Sequence, residues 1–401
     1  MQQKRNALPS VLLAILSTLG ILVGLFISGF LLASTLRVLP HTTPPPGNVE
    51  VFFNYAIISL ALTTSVINAL TLSASVRYLR KKGSKPLPVP GIFAKITLLA
   101  LWLLSLIAGF FASQNPNWYP ALALATTISV SLPILLLIML ARSGLPRSTR
   151  QREFGTITLG LTVSPLLIMV IESILIALVV VAVFILIGIR NQAPQQISQI
   201  IESLVNAGSG IEQLDLVLFD LMQEPIIALA VFLSLGLLVP MIEEIFKPMA
   251  VWFLLNRPLQ DHEGYALGLI SGGAFALLES AGMVIQMNPP DWLAAVVLRA
   301  ATGILHIGLS GLVGFGLVRS KTIHKPVRGF LFILLAGALH GAWNSFAIYS
   351  GLAALPALEN PAGYQANAAT VASIILMGLI FIAVVTLNVF TSRFIRRTLP
   401  D

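Results

Sequence analysis

The stretch IIALAVFLSLGLLVPMIEEIFKPMAVWFLL, residues 226–255, has the length of a membrane helix but carries three charged side chains near its centre: Glu243, Glu244 and Lys247. A helix that crosses a bilayer needs about 20 mostly apolar residues. Each charged side chain near the centre of the bilayer costs roughly 2.5 to 3.5 kcal/mol on insertion scales. Such residues are rare in membrane helices, so these three mark a candidate functional site.

The composition of the whole chain is that of a membrane protein. Of its 401 residues, 56% are hydrophobic and 10% charged, and the mean hydropathy of +0.91 excludes an ordinary soluble globular protein. Cysteine is absent, which excludes disulfides, thiolate zinc sites and cysteine nucleophiles. The net charge of +8 lies mainly in loops on one side of the membrane, so nucleic acid is not an expected partner.

Ten apolar runs are long enough to cross a bilayer. We therefore predict an all-α, polytopic membrane protein with about ten transmembrane helices. The runs are Ser10–Leu36, Val51–Val76, Ile92–Ser113, Trp118–Ala141, Leu161–Ile189, Ile226–Leu255, Tyr265–Met287, Trp292–Val318, Gly329–Ser350 and Ala368–Phe390.

The positions of the basic residues predict the orientation of these helices. If the N-terminus is cytoplasmic, 19 of the 24 Lys and Arg fall in cytoplasmic segments, and only Arg37 and Arg190 fall outside. Cytoplasmic loops of membrane proteins carry this excess of positive charge. We therefore expect both termini to be cytoplasmic, and the first run to be a helix rather than a cleaved signal peptide.

The character of the sequence divides the chain into four predicted segments. Residues 1–153 form four accessory helices, and 154–225 form a fifth helix followed by an extracytoplasmic loop with the spacing of an amphipathic helix. Residues 226–350 form a catalytic core, and 351–401 a final helix with a basic tail. Of the 30 glycines, 14 lie between Gly236 and Gly341. Small residues let membrane helices approach closely, so the pairs Gly268 with Gly272 and Gly337 with Gly341 predict tight helix packing in the core.

Four core helices each carry a polar residue at a similar predicted depth. These residues are Glu243, Glu279, His306 and His340. Counted at 1.5 Å per residue, all lie roughly 17 to 21 Å from the cytoplasmic ends of their helices. We therefore expect them to form one polar layer.

Two adjacent glutamates begin this layer. Glu243 and Glu244 are separated by about 100° around a regular helix, so we expect them not to share one target. One would do the chemistry while the other orients or pairs. Lys247 lies one turn further along, where it would pair with the less central glutamate; the alternative is a purely structural Glu–Lys pair.

Two prolines flank these glutamates. A proline inside a helix removes the bond to the carbonyl four residues earlier, so Pro240 and Pro248 would free the carbonyls of Gly236 and Glu244. In a membrane, such breaks occur where protein or a water-filled cavity satisfies them. The carboxylates are therefore expected to face a polar cavity.

Two further residues accompany the predicted histidines. Arg299 lies two turns before His306, either as a counter-charge to the glutamates or as a packing residue. Asn344 lies one turn after His340, where both side chains can offer hydrogen bonds to one oxyanion.

These residues permit two chemistries. A glutamate can act as general base on water, with histidine and asparagine stabilising the oxyanion. Alternatively, Glu243, His306 and His340 can hold zinc with one position open to water. The chain has no HExxH motif, so nothing supports a zincin-type site.

The ordered motifs EEIFK at 243–247 and FALLE at 275–279, then His306, then His340 with Asn344, resemble the PrsW family of intramembrane proteases. This family belongs to a wider clan with CAAX prenyl endopeptidases and bacteriocin-processing enzymes. The FxxxE form of the second motif here favours PrsW-like proteins over the prenyl endopeptidases, in which this motif typically carries histidine. The resemblance covers 226–344 and implies that Glu243, Glu244, His306 and His340 are catalytic, with Glu279 in the third polar position. It leaves open metal or metal-free catalysis.

The resemblance implies a peptidase in a bacterial plasma membrane that cleaves membrane proteins, such as single-span proteins of the anti-sigma factor type. Two other functions compete with this expectation. An ion-coupled transporter would also place carboxylates at mid-membrane, and a non-catalytic scaffold would use the same polar layer to bind transmembrane helices.

Overall fold

The computed structural model describes residues 8–38, 49–80, 82, 85–189, 222, 224–354 and 368–399. Helices dominate this part of the chain. In order they are α1 Leu8–Val38, α2 Val49–Leu79, α3 Ile92–Ser113, α4 Tyr119–Ala141, α5 Arg150–Leu161, α6 Val163–Ile189, α7 Pro225–Leu233, α8 Val239–Phe246, α9 Met249–Leu254, α10 Asp261–Ile285, α11 Trp292–Thr322, α12 Pro326–Ala354 and α13 Ala368–Thr398.

Ten spans within the described residues are long and apolar enough to cross a membrane, which confirms the predicted all-α, multi-pass membrane protein. Many of their large apolar side chains are exposed, as on α1, where Phe26 is 73% exposed. A lipid environment accommodates such surfaces. The predicted amphipathic helix falls on residues 197–205, outside the described part of the chain. The orientation of the termini and the four-segment division stay predictions.

The fifth span differs from its prediction. One helix was expected from Leu161, but α5 begins eleven residues earlier, after Thr149 accepts a hydrogen bond at its side chain from the backbone N–H of Arg152. The helix then breaks at Thr162, whose φ is −126°. The break is explained by Pro165, which has no N–H to donate to the carbonyl of Leu161.

The described chain divides into two compact units. The first comprises Met1–Pro165, Lys247–Phe332 and Val385–Asp401. Within it, Trp292 at the start of α11 is fully buried, and its indole N–H donates to Thr126 Oγ1 of α4 at 2.7 Å. A side chain at Gly109 of α3 would overlap the indole ring. These contacts hold the start of α11 against α3 and α4.

Glycines let α10 and α11 approach along their lengths in the first unit. A Cβ atom at Gly264 would overlap the Val318 side chain, and one at Gly268 would overlap the carbonyl oxygen of Ser310. The predicted close packing at Gly268 is thus confirmed. It fixes the relative positions of the polar side chains on these two helices.

The second unit comprises Leu166–Phe246 and Ile333–Val384. Here α12 lies against the segment that links α7 to α8. A Cβ atom at Gly337 would overlap the side chain of Met241, and one at Gly341 would overlap the carbonyl oxygen of Gly236. The predicted close approach at Gly337 and Gly341 is confirmed, and His340 lies between these two glycines in sequence.

Candidate functional site

The helix that carries the two glutamates is broken before it reaches them. Between α7 and α8, residues Ser234–Leu238 form a π-helical turn, in which the N–H of Val239 donates to the carbonyl of Ser234. In such a turn, bonds run to the carbonyl five residues earlier. Pro240 therefore leaves the carbonyl of Leu235 without its helical donor. Asn344 Nδ2 of α12 donates to that oxygen at 3.3 Å.

A second break follows the glutamates, within the first unit. The chain leaves the helix at Lys247, and α9 begins after Pro248, whose carbonyl accepts from the N–H of Val251. The carbonyl of Lys247 accepts a hydrogen bond from the Ser271 hydroxyl of α10 instead. The sequence thus located both breaks correctly. It named Gly236 and Glu244 as the freed carbonyls, whereas the carbonyls that accept side-chain hydrogen bonds are those of Leu235 and Lys247.

The two carboxylates converge on one imidazole in the second unit. Glu244 Oε1 lies 3.0 Å from His340 Nδ1, and Glu243 Oε2 lies 3.8 Å from the same atom. All three side chains are buried. The expectation that the glutamates would not share a target is wrong. Each carboxylate is carried on a flexible stem, and two stems with Cβ atoms about 100° apart can reach one point between them.

This contact determines the tautomer of His340. Ionised carboxylates only accept hydrogen bonds, and a neutral imidazole has one donor and one acceptor nitrogen. The Nδ1 atom beside Glu244 and Glu243 is therefore the donor, and Nε2 carries the lone pair. Imidazole in this form can accept a proton or bind a metal.

In the first unit, Lys247 contacts the other histidine. Its Nζ atom lies 2.7 Å from His306 Nδ1 and 4.6 Å from the centre of the Phe275 ring. Both Lys247 and His306 are fully buried. A lysine ammonium in such a position loses its hydration and needs partners of this kind. The predicted pairing of Lys247 with a glutamate stays a prediction.

The opposite side of His306 faces an acid. Its Nε2 atom lies 2.6 Å from Glu279 Oε2, and Arg299 Nη2 lies 3.0 Å from the same oxygen. Arg299 Nε also donates to Ser280 Oγ at 3.3 Å. The structure therefore places Arg299 as a counter-charge to Glu279 in particular.

Sequence reasoning gave no role to Ser271, Phe275 or Ser280. The ring of Phe275 packs edge-on against His306, with centroids 5.6 Å apart. Ser271 and Phe275 precede Glu279 by two turns and one turn of α10, so helical spacing was the signal that could have found them. They hold Lys247 and His306 on the face of α10 that carries Glu279.

The structure thus assembles the predicted residues into two sets. The second unit brings together Glu243, Glu244 and His340, and the first brings together Lys247, His306, Glu279 and Arg299. The prediction that both sets form one layer stays a prediction.

Two of the predicted metal ligands fit a metal by their chemistry. Glu243 and His340 offer a carboxylate oxygen and an imidazole nitrogen, both of which bind zinc. Metal-binding histidines usually donate their other ring N–H to a carboxylate, and Glu244 accepts such a bond from His340. Glu243 and His340 are therefore suited to hold a metal ion.

Comparison with known proteins gives one match. The family model of the PrsW family intramembrane metalloproteases matches residues 154–385, which is more than half of the chain and includes α6, on which the sequence resemblance was silent. No curated protein and no solved structure matches. The matched region contains both sets of polar residues. The chain belongs to the PrsW family of intramembrane metalloproteases.

Proposed function

We propose that this protein hydrolyses peptide bonds of membrane proteins within or beside the bilayer, and that the glutamate pair activates the attacking water. The observation that carries the proposal is the buried contact of Glu243 and Glu244 with His340. Carboxylates are costly in a membrane and mark functional sites. Here two of them approach one imidazole beside a helix break.

The two glutamates have different roles in the proposed reaction. Glu243 accepts a proton from water while the water oxygen attacks the carbonyl carbon of the scissile peptide, which gives a tetrahedral intermediate. The same carboxyl group then returns the proton to the departing amine as the C–N bond breaks. Glu244 keeps His340 oriented through the 3.0 Å contact with Nδ1.

A metal ion, when bound, would be held by Glu243 and His340 and would lower the pKa of a bound water. In that case Glu243 serves as a ligand rather than as the base. Both versions use the same residues, so removal of metal is the measurement that distinguishes them.

The substrates we propose are single-span membrane proteins, of which the anti-sigma factor type is one example. The family and the ten spans support a substrate held in the same bilayer. We place the protein in a bacterial plasma membrane with both termini cytoplasmic, because most of its basic residues then lie in cytoplasmic segments.

The test is a cleavage assay with the purified full chain in lipid nanodiscs and a set of labelled single-span substrates. We expect Glu243→Gln to lower the cleavage rate by roughly 100-fold to 10,000-fold, the range for loss of a general base. Inhibition by a chelator and recovery on adding zinc would assign the metal version. Activity unaffected by the chelator would assign the metal-free version.

Glu172→Gln is the matched control, since Glu172 is also a glutamate of a membrane span in the second unit and has no proposed role. It should cleave at the wild-type rate. Full activity of Glu243→Gln would overturn the proposal. Wild-type protein that binds substrates and cleaves none would favour the scaffold instead.

A further inference from the structure

Each ring nitrogen of His306 has a close charged partner, and the two partners carry opposite charges. Nδ1 lies 2.7 Å from Lys247 Nζ, and Nε2 lies 2.6 Å from Glu279 Oε2. The ring is fully buried, and Phe275 packs edge-on against it. His306 is therefore held on both of its polar edges and on one apolar side.

The chemistry of these partners determines which nitrogen carries the proton. A lysine ammonium has three donors and no acceptor, so His306 Nδ1 must accept its hydrogen bond through the lone pair. The single proton of a neutral imidazole then lies on Nε2, 2.6 Å from the negatively charged Glu279 carboxylate. Arg299 Nη2 forms a second ion pair with the same carboxylate oxygen at 3.0 Å.

We propose that Lys247 is a positioning residue that fixes His306 as the Nε2–H tautomer, and that His306 is not a metal ligand. A metal would need a ring lone pair. The one on Nδ1 faces Lys247, and Nε2 carries the ring proton beside Glu279. Of the three predicted zinc ligands this leaves Glu243 and His340, one fewer than catalytic zinc sites have.

The effect of this arrangement on cleavage rests on the proposed function, whereas the tautomer itself does not. By holding the His306 ring in place, Lys247 also fixes the position of the Nε2 atom that pairs with Glu279. Lys247 is in turn held at its backbone carbonyl by Ser271. Lys247, His306, Glu279 and Arg299 thus form a set in which positive and negative groups alternate around a neutral ring, with Lys247 and His306 fully buried and Glu279 and Arg299 partly exposed.

Nitrogen NMR of the full chain with ¹⁵N-labelled histidine rings tests the tautomer directly. The chain has only five histidines, so His306→Gln assigns the His306 signals by subtraction. In the resting wild-type protein we expect a protonated Nε2 and an unprotonated Nδ1 for His306. Addition of zinc should leave both signals in place. His324, which is exposed beyond the end of α11, provides an internal reference for a histidine that is exposed to solvent.

A proton on Nδ1, a doubly protonated ring, or a shift of either His306 signal on adding zinc would overturn the inference. Lys247→Met keeps the length of the side chain but removes its ammonium. In this variant the Glu279 carboxylate still favours the proton on Nε2, so we expect the Nδ1 signal to shift and cleavage to fall by about tenfold to 100-fold, as for other residues that orient a functional histidine. Combining it with Glu279→Gln, which removes the second charge, should populate both neutral tautomers.

The wild-type spectrum decides the matter if Lys247→Met does not fold. An inactive wild-type protein with the expected spectrum would contradict the proposed function and leave the assignment of His306 intact. An active protein in which His306 carries its proton on Nδ1 would support the proposed function and overturn the assignment of His306.

Discussion

His340 in the second unit and His306 in the first are both buried imidazoles, and they differ in what contacts their ring nitrogens. Nδ1 of His340 faces the carboxylates of Glu244 and Glu243, whereas Nδ1 of His306 faces the ammonium of Lys247. The two rings therefore carry their proton on opposite nitrogens. The comparison teaches that burial alone does not determine what a histidine can do. The charge beside Nδ1 decides whether Nε2 carries a lone pair or a proton.

The two histidines also differ in the backbone around them. His306 lies on the unbroken helix α11, which packs against α10 through glycines. His340 contacts a helix interrupted by a π-helical turn. Non-helical backbone in a membrane occurs where it lines a polar cavity or is satisfied by protein. At Leu235 the break is satisfied by the Asn344 amide, whereas His306 lies on continuous helix held by glycine contacts.

The largest expected effect is on the glycine contacts between α10 and α11. In Gly268→Val, the new side chain would overlap the Ser310 carbonyl oxygen of α11, and backbone cannot move aside as a side chain can. Overpacking of this kind costs about 1–3 kcal/mol and sometimes more. We expect a strongly reduced yield of folded protein and a lower Tm. Gel filtration and thermal unfolding in detergent would measure both.

Gly282→Val on the same helix is its control, because a Cβ atom at Gly282 meets nothing within 4 Å. This variant should elute and unfold like the wild type, apart from a small effect of the valine itself. Equal Tm values for the two variants would contradict the close packing of α10 and α11.

We expect an intermediate effect on cleavage when either carboxylate that contacts a histidine is replaced, and a larger loss at His340 than at His306. Glu244→Gln removes the charge that favours the Nδ1–H form of His340, and we expect cleavage to fall by about tenfold to 100-fold. Glu279→Gln should cost less, because Lys247 still fixes the tautomer of His306. Cleavage rates of both variants in the same nanodiscs would measure the difference. A larger loss for Glu279→Gln would reverse the assignment of the two regions.

Much of the fold follows from hydropathy alone. The third helix was predicted as Ile92–Ser113 and has those bounds, because apolar runs of this length have few other ways to satisfy their backbone in a membrane. The fifth span was predicted too short, since α5 starts with polar residues of a kind that hydropathy assigns to loops. The helix nevertheless forms there because Thr149 caps it.

The candidate site was predicted in its residues but not in its contacts. The sequence identified Glu243, Glu279, His306 and His340, since an ionisable residue in an apolar segment is visible without knowledge of the fold. The partner of Lys247 depends on which faces of different helices meet, and that information is not local. The π-helical turn was also missed, because a proline predicts a break without specifying its register.

The smallest expected effect concerns that turn and the side chain that satisfies it. Asn344→Ala removes the donor to the Leu235 carbonyl, and loss of a typical, partly exposed hydrogen bond costs about 0.5–1.5 kcal/mol. Pro240→Ala supplies a new N–H that can donate to this carbonyl or to that of Gly236. We therefore expect Asn344→Ala to lower the Tm less in the Pro240→Ala background than in the wild type. A double-mutant cycle measures this coupling. If the cost of Asn344→Ala is the same in both backgrounds, Asn344 does not compensate for the proline, and its amide is then available for the oxyanion role predicted from its place one turn after His340.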